Sequence, residues 1–279
     1  METVAIVGVG LIGASFGLAL RKSGFNGEII GVSSQPAVTA GLARGAISSS
    51  ATLAAAAERA DLIYLSQPVD RILDTLAQLG HAFRPGTLVT DAGSTKQKIC
   101  ECALAHLPGG SFLGGHPMAG KERRGPDAAD ADLFRNRPYV LTPNATPNSQ
   151  VEVFRETLHS FGAIVMEMSA EEHDATVAFT SHLPQLVSSA LAATLYREGN
   201  AKLTEIFGSG LIGMTRLAIS SPELWQSILT TNQTQVTRAL EAYIKVLSEL
   251  KGTLSEGEIA HTFEEASAFA ESIRKLPLD

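Results

Sequence analysis

The sequence is poor in cysteine, in excess positive charge and in long apolar runs, and each shortage excludes a class of protein. Only two cysteines occur, and their C-x-C spacing matches neither a zinc knuckle nor a thioredoxin-like pair. A disulfide-stapled scaffold and a cysteine metal centre are therefore excluded, and we expect no bound metal. Basic residues number 22 against 29 acidic ones, for a formal net charge of −7. This balance argues against nonspecific nucleic-acid binding.

Residues 4–20 form an uncharged stretch that could be mistaken for a membrane span. The stretch is about 17 residues long and contains four glycines, and a spanning helix needs about 20 mostly apolar residues. No basic segment precedes it, as a signal peptide would require. Together with the scarcity of cysteine, which fits a reducing compartment, this leads us to expect a cytoplasmic protein without membrane contact.

Short apolar strand patterns alternate with helical patterns over residues 1–169, and only helical patterns follow over 170–279. The alternation predicts a Rossmann-type doubly wound α/β sheet. The second part predicts an all-helical domain that includes one long helix over 222–251 and another helical segment over 203–219. Ser255-x-x-Glu258 has the pattern of a capping box for a final helix. Because a tail of this size cannot easily cover the apolar side chains of the long helix, we expect a homodimer formed through the helical domain.

A G-x-G-x-x-G motif follows the first predicted strand and opens the first predicted helix, reading Gly8-Val9-Gly10-Leu11-Ile12-Gly13. In this context the first glycine makes the tight turn, the second admits a pyrophosphate, and the third allows close helix packing. The pyrophosphate would lie on the helix N-terminus, at Leu11 and Ile12. The motif therefore predicts a dinucleotide site, and the alternative is that the glycines serve packing alone.

The second predicted strand ends at Ser33 and Ser34, about 20 residues past the glycines. NAD-binding folds place an acidic residue there for the ribose 2′-hydroxyl. Neutral hydroxyls tolerate the 2′-phosphate of NADP, which a carboxylate would repel, so NADP is favoured over NAD. Arg44 could fold back toward that phosphate. We also assign Ser66 and Pro68, at the end of the third predicted strand, to the cofactor site.

His116 lies in a glycine-framed segment, Gly114-Gly115-His116-Pro117-Met118-Ala119-Gly120. Ser94 follows the preceding strand, and strand C-termini face the ligand crevice in open α/β sheets. The two side chains can therefore meet beside the cofactor. A neutral imidazole suits removal of a hydroxyl proton. The alternative for a single loop histidine is a structural or exposed role.

These motifs together resemble those of the prephenate and arogenate dehydrogenases of tyrosine biosynthesis. The resemblance also includes Ser181-His182-Leu183-Pro184, Thr215-Arg216-Leu217-Ala218 and Trp225, and it extends over nearly the whole chain. It implies oxidative decarboxylation of a cyclohexadienyl substrate, with hydride transfer to a nicotinamide and loss of CO2. In this resemblance His116 is the base and Ser94 positions the substrate hydroxyl.

The resemblance also implies that Arg216 binds a substrate carboxylate, and the alternative is that Arg216 is ion-paired in the core. His182 and Gln185 are three residues apart on one helix face, and both are candidate substrate-binding residues. The family often has a histidine where Gln185 stands. Because an amide oxygen can accept from the ammonium of arogenate, arogenate or dual specificity is favoured over strict prephenate specificity. Counted along the helix, His173 faces away from His182 and is expected to be structural.

Two alternatives come from other classes of protein. A β-hydroxyacid dehydrogenase also joins a nucleotide domain to a helical one, but it needs a lysine base, and no lysine occurs over residues 170–195. A regulator that binds NAD(P) without chemistry would not require Ser94, His116 and Arg216 together.

Overall fold

The computed structural model describes residues 1–109, 111–143, 149–254 and 259–275. Eight strands are present in these ranges: β1 (Thr3–Val7), β2 (Glu28–Val32), β3 (Ser49–Ser50), β4 (Leu62–Leu65), β5 (Leu88–Asp91), β6 (Phe112–Pro117), β7 (Pro138–Thr142) and β8 (Ile164–Glu167). The helices are α1 (Leu11–Lys22), α2 (Gln35–Ala43), α3 (Leu53–Ala57), α4 (Val69–Leu79), α5 (Gln97–His106), α6 (Ser149–Ser160), α7 (Ala170–Val177), α8 (Leu183–Glu198), α9 (Ser209–Thr215), α10 (Pro222–Thr231), α11 (Gln233–Thr253) and α12 (Ala260–Arg274).

All eight strands form one sheet in the order β3-β2-β1-β4-β5-β6-β7-β8. Every neighbouring pair is parallel except β6 and β7. The chain order reverses between β1 and β4, which is the point where ligands bind in doubly wound sheets. The predicted Rossmann-type fold is therefore confirmed, and its crevice lies at the carboxyl ends of β1, β4, β5 and β6.

Two apolar cores cover the two faces of the sheet. One contains an aromatic cluster in which Phe16 of α1 stacks on Tyr64 of β4, with ring centroids 3.9 Å apart. The other packs α4 and α5 against the strands through aliphatic side chains such as Ile72 and Ile99. Because both faces are covered, β4 and the Val4–Val7 part of β1 are continuous apolar runs rather than alternating patterns.

The chain divides into two compact units, residues Met1–Asp174 with Glu223–Thr231, and Ala175–Pro222 with Asn232–Asp279. Within the described residues, the second unit contains helices and no strand, as predicted for the second half of the chain. Within the described ranges, no helix is both long and apolar enough to cross a membrane.

Three local predictions for this region need correction or lie outside the structure. The single helix over 222–251 is wrong: it breaks at Asn232, which has φ −121° and ψ 29° and follows two β-branched threonines of low helix propensity. The helix over 203–219 is also wrong: a 3-10 turn covers Ala201–Thr204, and α9 begins only at Ser209, after an extended N-cap at Gly208. The predicted capping box at Ser255 and Glu258 lies outside the described residues.

Candidate active site

The three glycines of the loop between β1 and α1 differ in backbone conformation and in the space around their Cβ positions. Gly8 has φ +97°, and its carbonyl accepts a 2.8 Å hydrogen bond from the Ser66 hydroxyl. A Cβ atom at Gly13 would lie 2.2 Å from that same carbonyl oxygen, whereas a Cβ atom at Gly10 would meet nothing within 4 Å. Gly8 and Gly13 are therefore required by turn and packing, and Gly10 borders open space.

The open space at Gly10 fits the pyrophosphate of a dinucleotide. Gly10 is the N-cap of α1, no side chain caps that end, and its first turn contains no acidic residue. The amide groups of Leu11, Ile12 and Gly13 belong to the first turn, whose N–H groups have no partner within a helix. Backbone donors and the helix dipole therefore favour an anion at this point.

The predicted ribose-binding residues lie beyond the end of β2. Ser33 and Ser34 are exposed, and Ser34 is the N-cap of α2 without using its side chain to cap it. The first turn of α2 contains no acidic residue. Arg44 instead donates to the carbonyl oxygens of Asp127 and Ala129, at 3.1 and 2.8 Å. Arg44 therefore does not fold back toward the ribose in this structure.

Of the residues assigned to the cofactor site after β4, Pro68 is the exposed N-cap of α4.

His116 lies on β6, next to its last residue, and not in a loop as predicted. Its flanking glycines also have a different purpose from the predicted approach to a ligand. A Cβ atom at Gly114 would lie 1.9 Å from the Thr142 hydroxyl, and one at Gly115 would lie 2.6 Å from the Asp91 carbonyl oxygen. These glycines allow β6 to pack tightly between its neighbours.

A buried ion pair holds the backbone beside His116. Lys96 and Asp91 are fully buried and form a short ion pair. Asp91 accepts from the Gly115 amide at 3.1 Å, and the Lys96 ammonium donates to the Gly115 carbonyl oxygen at 2.8 Å. Both polar groups of the residue that precedes His116 are thus fixed by charged side chains, which is how a buried ion pair satisfies its remaining hydrogen-bonding capacity.

Ser94 lies in the bend between β5 and α5 and is half-buried. Since β5 and β6 are parallel, with Thr90 opposite Leu113, the bend follows the same sheet edge at which His116 ends β6. The sheet therefore brings both residues to the edge that also carries the glycine loop.

His116 has a hydrogen-bonding partner that the sequence interpretation did not identify. Its Nδ1 atom lies 2.8 Å from Nε2 of His173, and Nδ1 of His173 lies 2.7 Å from Oδ1 of Asp174. His173 and Asp174, both on α7, are 0% and 1% exposed. The helix count that placed His173 away from His182 assumed regular α-helix, but residues 178–182 form a π-helical turn with a different periodicity.

The second unit contains the predicted substrate-binding residues. His182 ends the π-helical turn and is buried, with its Nδ1 3.4 Å from the Asn232 side-chain nitrogen. Gln185, 5% exposed on α8, donates to the Leu217 carbonyl oxygen at 2.9 Å and to the Ser189 hydroxyl at 3.1 Å. Arg216 begins the 3-10 turn Arg216–Ile219, directly before Leu217.

Arg216 is exposed, so the alternative of an ion pair in the core does not describe this chain. Ser188 lies one turn beyond Gln185 on α8 and was not predicted. Its buried hydroxyl has no hydrogen-bond partner among the described residues. Buried hydroxyls are normally paired, and no sequence signal distinguishes this serine from its neighbours.

Comparisons with protein families match both parts of the chain. Residues 16–167 match the family model described as prephenate dehydrogenase, nucleotide-binding domain, and residues 169–267 match the model described as prephenate dehydrogenase, dimerization domain. A prephenate dehydrogenase of Bacillus subtilis is 34% identical over 269 residues, which is 94% of this chain and 72% of that protein. A cyclohexadienyl dehydrogenase of Zymomonas mobilis is 30% identical over 72% of this chain and 70% of its own length.

Solved structures give the same result. The prephenate dehydrogenase of Aquifex aeolicus, in complex with hydroxyphenyl propionate and NAD+, is 32% identical, covers 98% of each chain and has a TM-score of 0.91. An arogenate dehydrogenase of Synechocystis is 31% identical, covers 98% of this chain and 99% of its own, and has a TM-score of 0.82.

Proposed function

Since this chain belongs to the prephenate dehydrogenase family and is a nicotinamide-dependent dehydrogenase, we propose that it oxidatively decarboxylates arogenate, accepts prephenate as a second substrate, and prefers NADP over NAD. The observation that carries the proposal is the placement of His116 at the sheet edge beside the glycine loop. Asp91 and Lys96 hold the backbone of the preceding residue, Gly115, and His173 contacts Nδ1 of His116.

In the proposed reaction His116 takes the proton of the ring hydroxyl. The nicotinamide ring, when bound, supplies the hydride acceptor. Ser94 positions the hydroxyl at the same sheet edge, and Arg216 binds a substrate carboxylate, for which a planar guanidinium offers paired donors. Departure of the ring carboxylate as CO2 leaves an aromatic product, and the gain in aromatic stability drives the reaction forward.

The preference for arogenate rests on the orientation of the Gln185 amide. A carbonyl oxygen can only accept a hydrogen bond, so the contact with Leu217 identifies the Gln185 nitrogen as the atom on that side. The amide oxygen is then the group that can accept from a ligand. An ammonium group is a suitable donor to it, and a keto oxygen, which lacks a hydrogen, is not. The likeness to the Synechocystis arogenate dehydrogenase supports the same choice.

The preference for NADP rests on the chemistry at the end of β2. Ser33 and Ser34 are exposed, and neither they nor the first turn of α2 presents a carboxylate that would repel a 2′-phosphate. The Ser34 hydroxyl does not cap α2 and is in a position to donate to a phosphate oxygen. Since Arg44 is engaged with backbone carbonyls, the preference comes from hydroxyl groups and the absence of repulsion, and we expect NAD to be used as well.

We propose that two chains associate through the helical unit. The dimerization-domain match covers residues 169–267. Large apolar side chains of that unit are strongly exposed in the single chain, among them Ile219 at 90% and Phe269 at 66%. Exposed apolar surface of this kind marks an interaction site.

Initial rates with each substrate and each cofactor test the proposed function. The purified protein is mixed with arogenate or prephenate and with NADP+ or NAD+, and formation of the reduced cofactor is followed by absorbance. We expect the highest kcat/KM for arogenate with NADP+, and lower but measurable values for the other three pairs. Cofactor binding without turnover in all four mixtures would contradict the proposal and favour the regulator. If kcat/KM is highest with prephenate, the arogenate preference is wrong, and if it is highest with NAD+, the NADP preference is wrong. Neither result would contradict the dehydrogenase activity.

A further inference from the structure

A chain of three side chains begins at His116 and ends at the N-terminus of a helix. His116 contacts His173, His173 contacts Asp174, and the Asp174 carboxylate accepts from the backbone amides of Lys96 and Gln97 at 2.7 and 2.9 Å. These two amides lie at the start of α5. The whole chain belongs to the first compact unit, so its geometry is defined within one body.

The direction of each hydrogen bond follows from what each atom can do. The carboxylate of Asp174 only accepts, so Nδ1 of His173 carries the proton. In a neutral imidazole the other nitrogen then accepts, so Nε2 of His173 accepts from Nδ1–H of His116. The remaining nitrogen of His116, Nε2, is therefore the one with the lone pair. One carboxylate thus determines the tautomer of two histidines in sequence.

The charges around His173 agree with a neutral ring. Burial lowers the pKa of His173, which is the largest effect on it. Asp174 and Asp91 act in the opposite direction, and Lys96 lowers the pKa further. His116 packs against the same ring, with centroids 5.0 Å apart and an interplanar angle of 68°. These groups face His173 from β5, β6, α7 and the segment before α5.

We propose that His173 and Asp174 are positioning residues that hold His116 as its Nδ1–H tautomer, aim its Nε2 at the substrate hydroxyl, and stabilise the positive charge that His116 acquires. This inference rests on the proposed role of His116 as the base. When Nε2 takes the hydroxyl proton, the Nδ1–H bond to His173 strengthens, and Asp174 faces the developing charge across the second ring. The proton ends on His116, and no further reactant is needed.

In catalytic triads a buried carboxylate orients the base directly. Here the imidazole of His173 lies between the carboxylate of Asp174 and the base, His116. A purely structural role would need only a side chain that fills the space beneath β6. The two roles differ in their consequences for proton transfer, because only the positioning role links the residue at 173 to the tautomer and the proton affinity of His116.

Nitrogen-15 NMR of His116 tests the tautomer without requiring turnover, so its result does not depend on the proposed function. In the free wild-type protein, the signals of His116 are assigned by comparison with His116→Ala, and the two-bond couplings identify the protonated nitrogen. We expect Nδ1–H for His116 and Nδ1–H for His173. An Nε2–H tautomer of His116 in the wild-type protein would overturn the proposal even if the enzyme is fully active.

The kinetics of two substitutions at residue 173 test whether His173 affects proton transfer to His116. His173→Leu removes the acceptor, while the amide oxygen of His173→Gln can still accept from His116 Nδ1–H. Since general-base assistance is worth roughly 10²–10⁴-fold, we expect His173→Leu to lower kcat by about 10- to 10³-fold with little change in either KM. Because the protonated form of His116 loses its stabilisation, the acid limb of the pH profile moves to lower pH. His173→Gln should recover part of kcat.

His159→Gln, on the exposed end of α6, serves as the matched control and should behave as the wild-type protein does. The positioning role is contradicted if His173→Leu keeps kcat within about twofold. It is also contradicted if His173→Leu and His173→Gln have the same lowered thermal stability, the same lowered kcat and an unshifted acid limb of the pH profile. A residue that only fills space would behave in this way. Should His173→Leu fail to fold, the tautomer measured in the wild-type protein still decides.

Discussion

The side-chain amide of Gln185 donates a 2.9 Å hydrogen bond to the carbonyl oxygen of Leu217, the residue after Arg216. The bond ties α8 to the 3-10 turn that begins at Arg216. It also determines which atom of the amide is left to accept from a ligand. One contact within the helical unit therefore links Gln185 to the turn that begins at Arg216, and the arogenate preference that we propose rests on it.

Gln185→His is expected to shift specificity from arogenate toward prephenate. An imidazolium repels the ammonium of arogenate, and the acceptor oxygen is lost. A charge-assisted hydrogen bond contributes about 1.5–3 kcal/mol, so the ratio of kcat/KM for arogenate to that for prephenate should fall by about tenfold or more. Thr194→Val, at an exposed hydroxyl further along α8, is the control. An unchanged ratio in Gln185→His would remove Gln185 from the specificity determinants.

Arg216→Ala is expected to raise the KM of the substrate and leave that of the nucleotide nearly unchanged. Loss of a charge-assisted contact of about 1.5–3 kcal/mol corresponds to roughly 10- to 100-fold in substrate KM. Because Arg216 is exposed, thermal stability should hardly change. Steady-state kinetics and a melting curve are compared with those of Arg197→Ala, at the exposed end of α8. A stable Arg216→Ala enzyme with the wild-type substrate KM would show that Arg216 does not bind substrate.

Two glycines of the same loop are expected to respond oppositely to alanine. Gly10 has φ −95° and open space at its Cβ position, so Gly10→Ala should fold normally but weaken nucleotide binding by about tenfold or more, because the methyl group occupies the approach of the pyrophosphate. Gly13→Ala meets the Gly8 carbonyl oxygen, and overpacking of this kind costs about 1–3 kcal/mol.

Thermal unfolding without ligand and titration with NADP+ measure the two effects separately. If Gly10→Ala binds the nucleotide as tightly as the wild-type protein does, the pyrophosphate does not lie at Gly10. If Gly13→Ala is as stable as the wild-type protein, the tight packing of α1 against the loop is not as the structure describes.

A homodimer should be visible in solution as twice the 29.4 kDa mass of the chain. Light scattering behind a sizing column measures this directly. Replacement of Phe263 and Phe269 by glutamate, on the exposed apolar face of α12, should shift the mass toward the monomer. Leu104→Glu, which alters an equally exposed apolar residue in the first unit, should remain dimeric. A wild-type protein of monomer mass at working concentration would contradict the proposal.

The fold of the first unit could be predicted because its apolar strand patterns and the alternation of strands and helices both indicate a parallel sheet. Apart from Thr3, β1 and β4 are continuous apolar runs, and α1 begins within the glycine motif, where the sequence predicts the first helix. The parallel order then follows from alternation of strands and helices. The long helix over 222–251 failed because apolar spacing continues across Asn232, although the backbone does not.

The site could be predicted only in part for a related reason. His116, Ser94 and the glycine loop occur in short sequence motifs, so they could be identified from the sequence alone. The partnership of His116 with His173 joins residues 57 positions apart, on a strand and a helix, and no local spacing encodes it. The helix count for His173 considered only His182 on the same helix, and it assumed a regular α-helix where a π-helical turn precedes α8.

The turnover number of His116→Ala, measured with saturating arogenate and NADP+, shows whether His116 is the catalytic base. If His116 is the base, kcat should fall by about 10²–10⁴-fold, while NADP+ binds with its wild-type affinity, because the glycine loop is unaltered. His159→Ala, at an exposed histidine of α6, should retain full turnover. A His116→Ala enzyme that binds NADP+ and turns over at the wild-type rate would contradict the account.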